Sequence, residues 1–200
     1  MKEQLLELSK QRRSIYALGR HLTQTPDELA DLIKKGVKLA PTAFNSQTTR
    51  AVILFNDKHE QLWDIVAKRL ESEVPSAEAY QKTLEKINAF KAAFGTILYY
   101  TDMDTVHQLE NDFALYADNF YDWSEQAQGN AQFTVWTSLA ENGIGANLQH
   151  YNPLIDDLVK EAFGIPDGWR LRAQMDFGSI ESDAGDKDFM DDGDRFKVLK

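Results

Sequence analysis

The 200-residue chain has no cysteine, and that absence excludes more chemistry than any other feature of its composition. Without thiols there is no disulfide, no thiolate zinc site, no cysteine-held iron–sulfur cluster and no cysteine nucleophile. Positive charge is scarce too: 22 Lys and Arg stand against 32 Asp and Glu, for a net charge of −10. That balance argues against nonspecific binding to nucleic acid or to an anionic membrane, both of which reward basic faces. Long apolar runs are missing. Ala51-Val52-Ile53-Leu54-Phe55 is among the longest, far below the roughly 20 residues that span a bilayer. The first residues, Met1–Leu8, are amphipathic and lack an apolar signal core. The expectation is a cytoplasmic protein with neither nucleic acid nor membrane as partner.

Other absences narrow the chemistry further. The histidines at 21, 59, 107 and 150 stand singly, with no His-x-x-x-His pair, so no metal site is expected. There is no Gly-x-x-x-x-Gly-Lys loop and no Gly-x-Ser-x-Gly elbow. Gly143-Ile144-Gly145-Ala146-Asn147-Leu148 has Leu where a dinucleotide fingerprint needs its third glycine. Residues 181–194 hold seven carboxylates and one lysine. Their spacing fails as a calcium loop because Met190 occupies a ligand position. A solvated tail or extended arm is the plainer reading of that stretch, and an anion cluster the other.

The length suits one domain over residues 1–200. Thr25-Pro26-Asp27-Glu28 reads as a capping box opening a helix with Leu29, Leu32, Ile33, Val37 and Ala40 at helical spacing. Asp57 reads as the cap of a second helix, and a third runs from about Ala77 to Ala93. Thr105–Asn142 reads as helical, with a break near Asp122–Ser124. Asn152-Pro153 opens a last helix that Gly164 ends. Arg50–Phe55, Thr96–Thr101, Gly145–His150 and Arg170–Gly178 read as strands. The first two are continuous apolar runs, as expected of strands covered on both faces. Arg170–Met175 alternates, as expected of a half-covered one. A mixed domain with helices dominating follows.

Three polar segments remain. Gln11-Arg12-Arg13-Ser14 follows the first helix, where two guanidinium groups and a hydroxyl can converge on a phosphate. It also reads as a solvated basic turn that balances a helix C-terminus. Against so acidic a background, these arginines and a second basic pair, Arg195 and Lys197, gain interest. Pro41-Thr42-Ala43-Phe44-Asn45-Ser46-Gln47 joins a helix to a strand and is dense in amides and hydroxyls, which suit the mixed edge of a heteroaromatic ring as well as an ordinary loop. Gly143–Tyr151 has glycines that permit close backbone approach, with Asn147, Gln149 and His150 as polar donors and acceptors.

In this order, the three segments and the basic C-terminal end resemble the nitroreductase family of flavin oxidoreductases, within it the subgroup of fungal fatty-acid-repression-mutant proteins and a bacterial copper-induced nitroreductase. The resemblance spans essentially the whole chain. It implies an α+β fold whose central, mostly antiparallel sheet is wrapped by helices. It implies an intertwined homodimer with FMN at each subunit interface. Arg12 and Ser14 would match positions contacting the flavin and its phosphate, with Arg13 adjacent. Arg195 and Lys197 would match a basic phosphate clamp. Pro41, Thr42, Ala43, Asn45 and Gln47 would match the loop that the other subunit lays against the flavin. Asn147, Leu148, Gln149 and His150 would match the segment facing its reactive nitrogen.

The activity implied is reduction of nitroaromatics, quinones or related acceptors by NAD(P)H, in two steps on the flavin, with no catalytic side chain. A flavin-binding sensor without turnover is the alternative. Three departures bear on it. Tyr16 stands where many members have a lysine, Thr48-Thr49 replaces a Pro-Trp pair, and His150-Tyr151 stands where many have Glu-Gly. The aromatic residues Phe113, Tyr116, Phe120, Tyr121 and Trp123 either roof the acceptor pocket or form plain core and dimer packing.

Overall fold

In the computed structural model, which describes residues 1–200, the first helix, α1, spans Gln4–Gln11 and lies against the chain's longest helix. The capping box forms: Glu28 N donates to Thr25 Oγ1 at 3.3 Å and Thr25 N donates to Glu28 Oε2 at 2.8 Å. It opens α2 (Pro26–Leu39), whose apolar stripe buries Leu29 and Ile33. The third helix, α3 (Asn56–Leu70), starts one residue before the expected Asp57 cap. A strand runs directly into it, so extended Phe55 takes the N-cap place without a side-chain cap. Ser76 caps α4 (Ala77–Lys91) by accepting from Ala79 N at 3.2 Å.

The expected break at Asp122–Ser124 falls earlier, between α5 (Met103–Asp112) and α6 (Ala117–Glu141). Asp102 caps α5 by accepting from Asp104 N and Thr105 N. Phe113 leaves the helical conformation, whereas Ser124 stays inside α6 and returns its hydroxyl to Tyr121 O at 2.6 Å. The helix expected from Asn152 starts later, as α7 (Asp156–Phe163), because residues 152–155 form a turn. It ends as expected at Gly164, whose φ of 62° is the left-handed C-terminal geometry. A last short helix, α8, spans Asp192–Arg195.

Five strands form one antiparallel sheet: β1 (Leu18–Gly19), β2 (Thr49–Phe55), β3 (Gly95–Asp102), β4 (Gly145–Gln149) and β5 (Trp169–Ile180). Central β5 pairs with β3 along one edge and with β4 along the other, two-residue β1 pairs with its end at Ser179 and Ile180, and β2 lies outside β3. β3 is buried on both faces, as its apolar run predicts. β2 departs from that expectation: as the outer strand it is only partly buried. β5 departs the other way. It is half-covered only to Arg172 and buried from Ala173 to Ser179, where neighbours flank it on both edges. A bulge opposite Tyr99 and Tyr100 shifts the register there, which lets β5 change which side chains face each layer.

Helices cover both faces. On one, α3, α4 and α7 bury Leu62, Trp63, Phe90 and Val159 against Leu54, Leu98 and Leu171. On the other, α2 and α6 bury Ile33, Val135 and Leu139 against Ile97, Met175 and Phe177. The two helices of that layer approach so closely that a Cβ at Gly36 would lie 2.8 Å from Val135 Cγ2. This is an α+β fold, a mostly antiparallel sheet wrapped by helices.

One polar chain crosses the α3 layer. Thr96 Oγ1 donates to Asp176 Oδ1 at 2.6 Å, and Trp63 Nε1 donates to the same oxygen at 3.1 Å. His59 Nδ1 meets Thr96 Oγ1 at 2.8 Å and its Nε2 meets Lys91 O at 3.1 Å. Burial pushes the Asp176 carboxyl well above the usual range, against the pull of the Thr96 and Trp63 bonds. Burial likewise lowers the His59 imidazole to about 4. The His59 imidazole is therefore neutral at physiological pH, and the Asp176 carboxyl holds its proton more tightly than a free carboxyl does.

Candidate functional site

Two of the sequence segments are brought into direct contact. α1 ends at Gln11, Arg12 turns extended, and the chain then lies alongside β4. Ser14 forms a parallel bridge with Ala146, and Ile15 N donates to Ala146 O at 2.9 Å. Asn147, fully buried, donates from Nδ2 to Ile15 O at 2.9 Å and accepts from Gln149 Nε2 at 2.8 Å. Asn147 and Gln149 therefore hold the arginine segment in place through β4. Leu148 packs toward the α2–α6 layer, and His150 is exposed just beyond the strand.

Arg12, Arg13 and Ser14 line one side of a cleft of about 470 Å³, with Tyr16 beside them. The opposite side is Ser182–Lys187 from the acidic stretch, folded back over the segment as Arg13 Nη2 donates to Gly185 O at 2.7 Å. Arg12 lies over the Trp136 ring, 4.6 Å from its centroid. Desolvation, then the neighbouring Arg13 charge, lowers the Arg12 guanidinium pKa; a guanidinium crowded in this way gains from an anion placed near it. Lys187 adds a third cation to the cleft, and Asp183 and Asp186 face the same space. Lys187 escaped the sequence reading, although a single lysine among seven carboxylates marks it. Arg195 and Lys197 lie in the exposed C-terminal residues and do not line this cleft, the Arg195 guanidinium resting 5.5 Å from the Phe196 ring.

The Pro41–Gln47 loop is built to hold one shape. Asn130 Nδ2 of α6 donates to Pro41 O at 2.9 Å, and Gln47 N donates to Thr42 Oγ1 at 3.1 Å. Arg50 donates to Gln47 O and pairs with Asp102 Oδ2 at 2.6 Å, tying the loop's end to the start of α5. Three side-chain-bearing residues sit in the left-handed region: Phe44 at φ 56°, Asn45 at φ 50° and Gln47 at φ 48°. Such backbone costs on the order of 1–3 kcal/mol per residue and collects at functional sites. Asn45 is of a type that tolerates this region, but nothing local marks Phe44 or Gln47 for it. The amides of Asn45 and Gln47 are exposed, ready to bond outward.

The loop enters β2, on one side of β5, whereas the arginine segment runs beside β4 on the other. With strands about 4.8 Å apart, one copy of the chain keeps the two halves well separated. No group of three or more His, Asp and Glu is arranged to hold a metal ion, and no helix is long and apolar enough to cross a membrane.

Residues 9–179 match the sequence profile of the nitroreductase family. The chain belongs to that family. It is 36% identical over 181 residues to the putative nitroreductase HBN1 of Saccharomyces cerevisiae, covering 90% of this chain and 89% of that protein. It is 38% identical over 171 residues to the nitroreductase FRM2 of the same yeast, covering 84% and 83%. Among solved structures, the nitroreductase CinD from Lactococcus lactis in complex with chloramphenicol superposes with a TM-score of 0.90 at 50% identity, covering 98% of this chain and 100% of that one. CinD has also been solved with 4-nitrophenol and with nicotinic acid. A nitroreductase from Desulfitobacterium hafniense with bound FMN shares the fold at a TM-score of 0.71 and 16% identity. As a nitroreductase-family protein, the chain is an oxidoreductase of the class acting on nitro compounds.

The cleft suits the phosphate end of a flavin mononucleotide. Three cations, one of them partly desolvated, outnumber its two carboxylates, the Ser14 hydroxyl lies beside the arginines, and guanidinium groups bind phosphate oxygens in pairs.

Proposed function

We propose that this nitroreductase is an FMN-dependent oxidoreductase that takes reducing equivalents from NADH or NADPH and passes them to nitroaromatics, quinones or similar electron-poor acceptors. The observation that carries the reading is the placement of Arg12, Arg13 and Ser14, on a segment bonded to β4, in one cleft with Lys187. When bound there, FMN supplies a ring that accepts a hydride from the nicotinamide and gives it up to the acceptor.

The chain's own part is binding and orientation. Arg12, Arg13 and Ser14 hold the phosphate; Arg195 and Lys197, which lie outside the cleft, join them by a shift of the exposed C-terminal arm. The end of β4, Asn147, Leu148, Gln149 and His150, forms the wall beside the ring through its backbone and the exposed His150, since Asn147 is buried and Leu148 packs inward. Pro41, Thr42, Ala43, Asn45 and Gln47 of a second copy cover it from the other side, so the working unit is a homodimer with FMN at the interface. The separation of the loop from the arginine segment within one copy supports this arrangement. No side chain acts as a nucleophile. Tyr16 brings no positive charge to the ring's neighbourhood, which leaves the reduced, anionic flavin less stabilised than a lysine there would.

The ligands of the half-identical relative support the acceptor class. Chloramphenicol and 4-nitrophenol both carry a nitrophenyl group, and nicotinic acid has the pyridine ring of the nicotinamide donor. The test is NADH and NADPH oxidation by the FMN-loaded protein with 4-nitrophenol as acceptor. Turnover that requires both FMN and acceptor is expected. A yellow protein that oxidises neither nucleotide would instead be a flavin sensor.

A further inference from the structure

Five aromatic rings meet beside the Pro41–Gln47 loop. Phe44 lies 5.0 Å from Phe113, 5.8 Å from Tyr116, 5.4 Å from Phe120 and 5.6 Å from Trp123, centroid to centroid. It stacks at 21° on Trp123 and tilts steeply against the other three. This cluster sits where α5 gives way to α6: Phe113 leaves the helix and its ring packs on Phe44. Yet the cluster is not closed. Phe44 remains 51% exposed, Phe113 41% and Tyr116 43%.

Phe44 combines two features that a core-filling residue does not need. Its backbone is left-handed, at φ 56°, a conformation that disfavours a bulky side chain. Half of its ring still faces outward after four neighbours have fixed its position. Strain persists where the surroundings over-determine it, and here the four rings and the bonds at Pro41 and Thr42 do so. The outcome is an aromatic ring held in orientation by four others and still half-exposed. Nitro groups withdraw electron density from a ring, so a nitroaromatic offers the complementary face for offset stacking.

We infer that Phe44 is the specificity-determining platform on which an aromatic acceptor stacks, and that each chain supplies it to the flavin bound mainly by the other copy. The inference rests on the reading that the Pro41–Gln47 loop covers the flavin across the dimer. Trp123, stacked behind Phe44, and Phe120, set edge-on to both rings, hold the platform rigid. The acceptor class this face selects is flat and electron-poor, with extended aliphatic or inorganic oxidants gaining nothing from it.

The experiment compares the FMN-loaded wild-type protein with Phe44→Leu, which keeps apolar volume without a π face, and with Phe44→Tyr, which keeps the face. Calorimetric titration with 4-nitrophenol reads binding without turnover. Steady-state kinetics with 4-nitrophenol and with ferricyanide separate an aromatic acceptor from an inorganic one. Phe44→Leu is expected to weaken 4-nitrophenol binding by about three- to tenfold. Its kcat/KM is expected to fall several-fold further with 4-nitrophenol than with ferricyanide, mainly through KM, and Phe44→Tyr should restore both.

Unchanged 4-nitrophenol affinity in a fully yellow Phe44→Leu protein would overturn the inference, as would equal losses with the two acceptors. So would a shift of Phe44→Leu from dimer to monomer in sedimentation, which would make the ring an interface contact. Colourless wild-type protein that refuses FMN would overturn the functional reading first and the assignment of Phe44 with it.

Discussion

The Asn147 carboxamide and the Ile15 backbone carbonyl are joined at 2.9 Å in the buried interior, and through that bond β4 sets the position of the arginine segment. Both ends of the amide are engaged: its oxygen accepts from Gln149 while its nitrogen holds Ile15.

Asn147→Leu strands a buried carbonyl and a buried amide donor, each at a cost of about 1–3 kcal/mol. The expected outcome is a lower denaturation midpoint together with weaker FMN binding, measured by urea unfolding and FMN fluorescence titration. Loss of stability with FMN affinity intact would mean that the Arg12–Ser14 segment holds its place without β4.

Asp176 and His59 give opposite pH dependences. The Asp176 carboxyl stays protonated in the fold far above 3.8, whereas in the unfolded chain it ionises near about 3.9. The folded state therefore holds the extra proton, and stability falls as pH rises through that window. Asp176→Asn has the same shape and no proton to lose. Its stability is expected to exceed that of the wild type in alkaline buffer and to match it in acid, as read from thermal midpoints across pH. A large loss at every pH would show that Asp176 is ionised in the fold.

For His59 the sign reverses. Its folded-state value is about 4 against 6.5 for the free group, so below 6.5 the unfolded chain takes up the proton first. Stability falls as pH drops from 6.5 toward 4, by roughly 3 kcal/mol in all at 1.36 kcal/mol per decade. His59→Gln is expected to flatten that acid limb at some cost in packing at neutral pH. An unchanged acid limb in the variant would exclude His59 as its source.

Arg195 tests the C-terminal arm. A charge-assisted bond to phosphate contributes about 1.5–3 kcal/mol, so Arg195→Ala is expected to weaken FMN binding by about tenfold or more. The fold should be unaffected, because the residue is exposed and lines no part of the core. Equal FMN affinity in variant and wild type would leave the phosphate to Arg12, Arg13 and Lys187 alone.

Much of this arrangement was legible in the sequence where local chemistry decides it. The Thr25–Glu28 box and Gly164 mark helix ends because their side chains or backbone freedom act within a few residues. The four expected strands came from apolar runs and alternation, and their ends moved by only a residue or two; two-residue β1 is too short to carry such a pattern and was not expected. What escaped depends on distant contacts. The α5–α6 break coincides with Phe113 meeting Phe44, a pairing 69 residues apart in the chain. The outer position of β2 and the burial of β5 follow from strand order, which periodicity does not encode. At the site, the arginine segment and β4 were both visible as polar motifs. Their mutual bond, and the use of Asn147 as its anchor, appear only once the chain is folded.

The most direct test is FMN retention by wild-type protein and Arg12→Ala, both purified at micromolar concentration and read by visible absorbance and FMN titration. The account predicts a yellow wild-type protein with one FMN per chain and a folded, nearly colourless Arg12→Ala that recovers FMN only at high concentration. A wild-type protein that binds no FMN, or an Arg12→Ala variant that retains it in full, would contradict it.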